Sequence, residues 1–296
     1  MAAWLYVPTF RPATGRGPER LDHIHSVALD PHQPDVVYLA THNGLLRSTG
    51  EGWEVVGPPL DLMGFAPAPH RPGVLYASGH PPLDSRLPNP LGLMMSTDGG
   101  HRWQPVSLAG QADFHLIGIA PSRPQRFYAW NAGREPGLYR SDDGGRSWTR
   151  PAAAGLASSS RDVFDLAVHP DEPDTLLVAT RQGLRLSRDG GESFTPLWGD
   201  APVTAVAYGG GQLWAFLHHP EGGLVRSPDQ GVSWFRVSSL RGADDPVISL
   251  APHPVHGSIR YALTLQGWLL ATRDGGRTWE VLLEEGRVVP RDGGGR

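Results

Sequence analysis

Ser141-Asp-Asp143-Gly-Gly145-Arg-Ser-Trp148 is the stretch that decides the fold, because the chain repeats it. The other copies are Ser96-Thr-Asp98-Gly-Gly100-His-Arg-Trp103, Ser187-Arg-Asp189-Gly-Gly191-Glu-Ser-Phe194, Ser227-Pro-Asp229-Gln-Gly231-Val-Ser-Trp234 and Thr272-Arg-Asp274-Gly-Gly276-Arg-Thr-Trp279. A shortened form, Ser48-Thr-Gly-Glu-Gly52-Trp53, stands where a first copy is due. The closing aromatics fall roughly 40–50 residues apart, a period shared by propeller blades and helical repeats. Local chemistry chooses between them. Each period holds short β-branched or aromatic runs broken by Gly, Pro and Asp, and none sustains a helical apolar stripe.

Working outward, each unit carries further runs in a fixed order. Ser26-Val-Ala-Leu29 leads into the turn Asp30-Pro-His-Gln-Pro34, then Val36-Val-Tyr38-Leu-Ala40, then Gly44-Leu-Leu-Arg-Ser48 and the motif. Four residues beyond the turn prolines Pro34, Pro72, Pro124 and Pro173 stand Tyr38, Tyr76, Tyr128 and Leu177, which marks equivalent strand positions. Four strands per unit and six units predict an all-β, six-bladed propeller. The blades are expected at about 25–57, 62–107, 114–150, 163–197, 203–238 and 247–284. Residues 1–24 form an N-terminal segment, in which Trp4–Val7 is read as pairing with the last blade, and 285–296 form a tail.

The repeated motif occupies the turn between third and fourth strands and explains itself structurally. Its Gly permits left-handed backbone angles, its Asp accepts bonds from the turn's own N–H groups, and its aromatic packs between sheets. Asp98, Asp143, Asp189, Asp229 and Asp274, with Trp103, Trp148, Phe194, Trp234 and Trp279, are therefore scaffold residues. These residues resemble the BNR or Asp-box repeats of the sialidase-like propeller superfamily, and the resemblance covers essentially the whole chain. Within that superfamily the chain looks most like bacterial BNR-repeat glycosyl-hydrolase-like proteins. The resemblance implies a carbohydrate-active or carbohydrate-binding propeller. It also leaves open a protein-interaction scaffold of the sortilin or Ycf48 assembly-factor type. A sialidase carries Phe/Tyr-Arg-Ile-Pro before its first blade; Phe10-Arg11-Pro12 lacks the Ile, and the tyrosines repeat as strand residues. Sialidase chemistry itself is therefore not expected.

Composition narrows the partners. The net charge of −4 and the absence of any basic run speak against nucleic acid. There is no Cys, which rules out disulfides and thiolate metal sites. No apolar run is long enough to span a bilayer, and the first residues lack a signal-peptide pattern, so a cytoplasmic monomer is the expectation as written, with an exported mature form left open.

Alternating strand directions place the repeated turn and the first-to-second-strand turn on one face, and the variable loops on the other. Function is sought on the variable face. The ligand-binding candidates there are His25, His42, His80, His115, Arg134, Arg181 and His218. Candidate carboxylates for a two-carboxylate glycoside hydrolysis are Asp84, Asp113, Glu135, Asp162, Asp165 and Glu221. A carbohydrate or other small polar ligand is the leading expectation, followed by a protein partner. A metal-dependent propeller hydrolase stands third. Only His23 and His25 have ligand-type local spacing, so no cofactor and no metal are assigned.

Overall fold

Six sheets follow one another along the chain, each made from a contiguous segment with its strands in sequential, antiparallel order. The computed structural model describes residues 20–21, 23–33, 35–48, 52–156, 159, 161–240, 244–252 and 259–289. The six innermost strands, Ile24–Leu29, Asp61–Pro67, Phe114–Ile119, Val163–Val168, Val203–Gly209 and Val247–Pro252, ring a central channel. This is the all-β, six-bladed propeller expected from the repeats. Blades one, two, four and five have four strands. Blade three has three, and a lone bridge between Arg140 and Thr149 stands in for its fourth. Blade six has a fifth strand, Arg287–Val288, which Arg20 bridges antiparallel while the Leu21 N–H donates to the Gly286 carbonyl at 2.7 Å. Blade six thus meets the segment leading into blade one. The pairing expected of Trp4–Val7 and the motif Phe10-Arg11-Pro12 lie outside the described residues.

The second strands show why the blades stack. Val37–Thr41, Phe127–Asn131 and Leu176–Thr180 are buried at every position, because a neighbouring blade covers each face. They therefore read as unbroken apolar runs, as strands covered on both faces do. The core is accordingly divided into six wedges, each shared by two adjacent blades; Leu138, Trp130 and Tyr128 of blade three, for example, pack with Leu176, Val178 and Phe194 of blade four. Register confirms that Tyr38, Tyr76, Tyr128 and Leu177 are equivalent, since each pairs with the matching residue of its first strand: Ala28, Ala66, Gly118 and Ala167. Trp214 and Tyr261 fill the same position in blades five and six.

The repeated turns share one bonding scheme. In blade three the Ser141 hydroxyl donates to Asp143 Oδ1 at 2.8 Å and accepts the Gly145 N–H at 2.9 Å, while Asp143 Oδ1 accepts the Ser147 N–H at 2.9 Å. Donors from Ser147 hold the Asp143 carboxyl down at about 2. The second Gly is required twice over. Gly145 has φ +81°, and a Cβ there would come within 2.2 Å of Leu93 in the preceding blade. Each turn therefore rests on its neighbour's core. The turns also bond to the first-to-second-strand turns of their own blades, as Gly144 N–H does to the Gln125 carbonyl at 3.0 Å, so both lie on one face.

Every inner strand carries a bulge at the same place. The ladder skips one residue between Ile24 and Ser26, Leu62 and Gly64, Phe114 and Leu116, Val163 and Asp165, Val203 and Ala205, and Val247 and Ser249. A bulge leaves its extra residue outside the pairing and re-aims its side chain. The six extra residues are His25, Met63, His115, Phe164, Thr204 and Ile248, all at the end of the channel away from the repeated turns. Just beyond the bulges, side chains bind blade to blade. Asp165 Oδ2 accepts the Val206 N–H at 2.9 Å, and Ser249 at the equivalent position of blade six accepts the Val27 N–H at 3.2 Å across the ring closure.

Candidate functional site

The channel encloses about 760 Å³, and its wall is largely apolar, with Val27, Ile117, Leu166, Val206 and Leu250 among its lining. At the mouth where the bulges lie, the chemistry changes. Three sets of equivalent positions converge there. They are the residue before each buried strand start (His23, Asp61, Asp113, Asp162), the bulged residue, and the residue at or just past the end of the second strand (His42, His80, Ala132, Arg181, His218). Main-chain bonds tie the first and third sets together, as from His42 N–H to the His23 carbonyl at 3.2 Å and from Arg181 N–H to the Asp162 carbonyl at 2.9 Å.

In blades one to three these positions hold His, Asp and Met with a single Ala, Ala132, and among them lie two clusters. His25 Nε2 and His42 Nδ1 lie 3.2 and 2.8 Å from Asp61 Oδ1. His80 Nε2 and His115 Nε2 lie 3.4 and 3.0 Å from the two oxygens of Asp113. Asp61 and Asp113 occupy the same place in successive blades and each meets the second-strand His of the blade before; the bulged His comes from the preceding blade for Asp61 and from the same blade for Asp113. Burial acts to raise the Asp61 carboxyl, but His25 and His42 outweigh it and hold the group below its ordinary value. Asp61 is therefore an anion at neutral pH. The buried atoms His25 Nε2 and Asp61 Oδ1 are close but out of hydrogen-bond alignment. In each cluster, one donor atom per residue can be chosen so that all three lie within 4.8 Å of one another, and neutral imidazole with carboxylate is a set that suits Zn or Fe. Local spacing along the sequence assigned no metal; the fold brings together two sets of residues that could hold one.

The remaining candidates are spread out. Arg181 pairs with Asp162 at 2.8 Å and lies over the Phe164 ring at 6.0 Å, continuing the polar arc into blade four. The His218 N–H donates to the Pro202 carbonyl at 2.8 Å. Arg134, Asp84 and Glu221 are exposed on outer loops, and Glu135 pairs with Arg150 at 3.1 Å. Asp165 lies deeper, on the channel wall, where Leu166 and Val206 N–H groups occupy its two oxygens at 2.8 and 2.9 Å. Burial nevertheless pushes its carboxyl up to about 7. Sequence reasoning did not single out Asp61. The signal was present as an Asp just before the buried start of an inner strand, in Asp61-Leu62, Asp113-Phe114 and Asp162-Val163.

No protein-family model matches the chain. A xyloglucanase from a Paenibacillus species is 26% identical over 219 residues, which is 69% of this chain and 20% of that enzyme. The chain thus spans about a fifth of the length of this curated relative. Among solved structures, the GH74 xyloglucanase from Xanthomonas campestris superposes with a TM-score of 0.61 at 19% identity, covering 90% of this chain and 46% of that one. A structure described as YCF48 bound to D1 peptide gives 0.54 at 19% identity, covering 91% and 87%. At these identities the structural likeness concerns the fold, a β-propeller like those of glycosyl hydrolases. Among the described residues no helix is long and apolar enough to cross a membrane.

Proposed function

We propose that this chain is a carbohydrate-binding propeller of the glycosyl-hydrolase-like kind, and that the His–Asp arc at the channel mouth of blades one to three receives the sugar. The carrying observation is the pair of clusters around the equivalent Asp61 and Asp113, beside the bulged side chains Met63 and Phe164. Ionised carboxylates and imidazoles accept and donate to sugar hydroxyls, and neighbouring apolar side chains cover the sugar's C–H face, the usual mixture in a small-molecule site. The similarity to a xyloglucanase over two thirds of the chain supports a plant-type β-glucan as the first ligand to try. The finer kinship with Asp-box, sialidase-like proteins belongs to the same proposal and is supported by the five repeated turns.

The test is calorimetric titration with xyloglucan oligosaccharides and a panel of other glucans, with reducing-end release followed in parallel. Saturable binding that weakens about tenfold or more in Asp61→Asn and Asp113→Asn is expected, the loss of a charge-assisted hydrogen bond being worth roughly that much. Absence of saturable binding across the panel, or binding indifferent to both substitutions, refutes the proposal.

A metal-dependent hydrolase is the second reading, favoured by the misaligned contact between His25 Nε2 and Asp61 Oδ1, which a cation between them would resolve. Repeating the titrations after chelation and after Zn²⁺ addition separates the two readings. Zn²⁺ binding lost in His42→Ala supports the metal site, and glycan binding unchanged by chelation argues against it.

A further inference from the structure

At the boundary between blades three and four, arginines on the face of the repeated turns are neutralised by acids. Arg126 bonds Asp142 at 2.7 Å and also pairs with Asp174. Arg140 reaches into the next blade's turn, 2.9 Å from the Gly190 carbonyl and 3.2 Å from Glu192 Oε1. Tyr128 donates its hydroxyl to the Pro173 carbonyl at 2.9 Å. Both arginines at that boundary are thus paired with an acid of blade four, although the Arg140 Nε is left without a partner.

The boundary between blades five and six keeps one of these arginines and loses the acids; Gln212 stands in Arg126's place, and its Oε1 accepts from Arg226 at 3.1 Å. Arg226 takes the place of Arg140, because it pairs with Trp214 as Arg140 pairs with Tyr128. The turn residue equivalent to Glu192 is Arg277, a reversal of charge. The residue equivalent to Asp142 is Pro228. A cavity of about 460 Å³ lies here, lined by Arg226, Arg236, Arg273 and Arg277 with Trp214 and Gln212.

Its carboxylate, Asp274, is already committed. Asp274 accepts from the Thr272 hydroxyl at 2.9 Å, from the Arg277 and Thr278 N–H groups at 3.0 and 2.9 Å, and from the Thr278 hydroxyl at 2.6 Å. Among the described residues, Arg236, Arg273 and Arg277 make no ion pair. Trp214 is 1% exposed, and its indole N–H has no hydrogen-bond partner. Buried donors are almost always satisfied in folded proteins.

We propose that this cavity is an oxyanion-binding site that takes a phosphate or sulfate group, free or carried as a monoester on a small molecule. Guanidinium forks present paired N–H donors that match tetrahedral oxyanions, and a cluster of four arginines against one occupied carboxylate attracts such a group from solution. The Trp214 N–H supplies a further, uncharged donor. The site lies on the face opposite the His–Asp arc and does not depend on the sugar-binding proposal.

The experiment is calorimetric titration of the whole chain at low ionic strength with inorganic phosphate, inorganic sulfate and glucose 6-phosphate. Single-site saturable binding is expected. Tighter binding of glucose 6-phosphate than of phosphate identifies a monoester as the natural source, and equal binding identifies the free ion. Arg277→Glu installs the acid that blade four carries at this position, so it should reduce affinity at least about tenfold while leaving the melting temperature unchanged or raised. Trp214→Phe removes one neutral donor and should weaken binding roughly threefold to tenfold. Lack of saturable binding at millimolar phosphate, or equal affinity in Arg277→Glu, overturns the proposal.

Discussion

Replacing Asp165 by Asn should change how the protein's stability depends on pH, and the structure gives the size of the effect. The carboxylate lies on the channel wall with two main-chain N–H donors, which favour its charged form. Burial opposes them and wins, raising the group from 3.8 to about 7. The folded protein therefore holds a proton that the unfolded chain releases near pH 4. Between pH 4 and 7 the native state binds more protons, so stability falls as pH rises, and the contribution is lost above pH 7. Three pKa units correspond to about 4 kcal/mol, and contact with channel water trims this to about 2–4 kcal/mol. Asn keeps one acceptor oxygen and cannot ionise. Denaturant midpoints of parent and Asp165→Asn, measured from pH 4 to 8, give a difference curve in which other titrating groups cancel. The parent's relative stability should decline across that window. A flat difference curve would show that the two N–H donors cancel burial, and a rising one that they outweigh it; either result refutes the reasoning.

Two further perturbations probe the scaffold. Gly145→Ala forces a side chain into a left-handed position and against Leu93, so a loss of about 2–4 kcal/mol is expected by denaturant unfolding; Gly99→Ala has a similar backbone angle (φ +72°) but open space around it and should cost about 1 kcal/mol. Equal losses would remove close packing between blades as the reason for the second Gly. Asp143→Asn should lower the melting temperature at pH 7. Because the Asp143 carboxyl sits at about 2 in the fold, the deficit should shrink as pH drops from 4 towards 2, and a deficit constant over that range would contradict the turn's bonding scheme.

The fold was legible because its signals are local. The turn motif compresses Gly angles, the Asp acceptor and the inter-blade aromatic into eight residues, and the second-strand position of Tyr38, Tyr76 and Tyr128 keeps register from blade to blade. The mouth was only half legible. Loop reasoning found His25, His42, His80, Asp113 and His115, but alternation could not say which would meet. A bulge shifts the period-two pattern by one residue, so His25 and His115 leave the face that simple alternation assigns them. Their partners also come from the next blade: Asp61 joins histidines of blade one, and His80 of blade two joins blade three. Arg134, an arginine favoured from sequence, lies on an exposed outer loop, a placement that loop length alone does not reveal. The cavity between blades five and six follows from treating Glu192 and Arg277 as equivalent. That comparison is available in the aligned repeats, but it matters only once Arg140 is seen reaching across to Glu192.

The six bulges also separate what evolution can alter from what it must keep. A residue without a partner in the ladder can be exchanged with little disturbance to strand pairing where its side chain faces the channel. His25, Met63, His115, Phe164 and Ile248 thus behave like five dials set around one aperture, while Thr204 is buried and donates its hydroxyl to the Val247 carbonyl of blade six at 2.6 Å. A new ligand specificity can be dialled in one blade at a time while the ring stays closed.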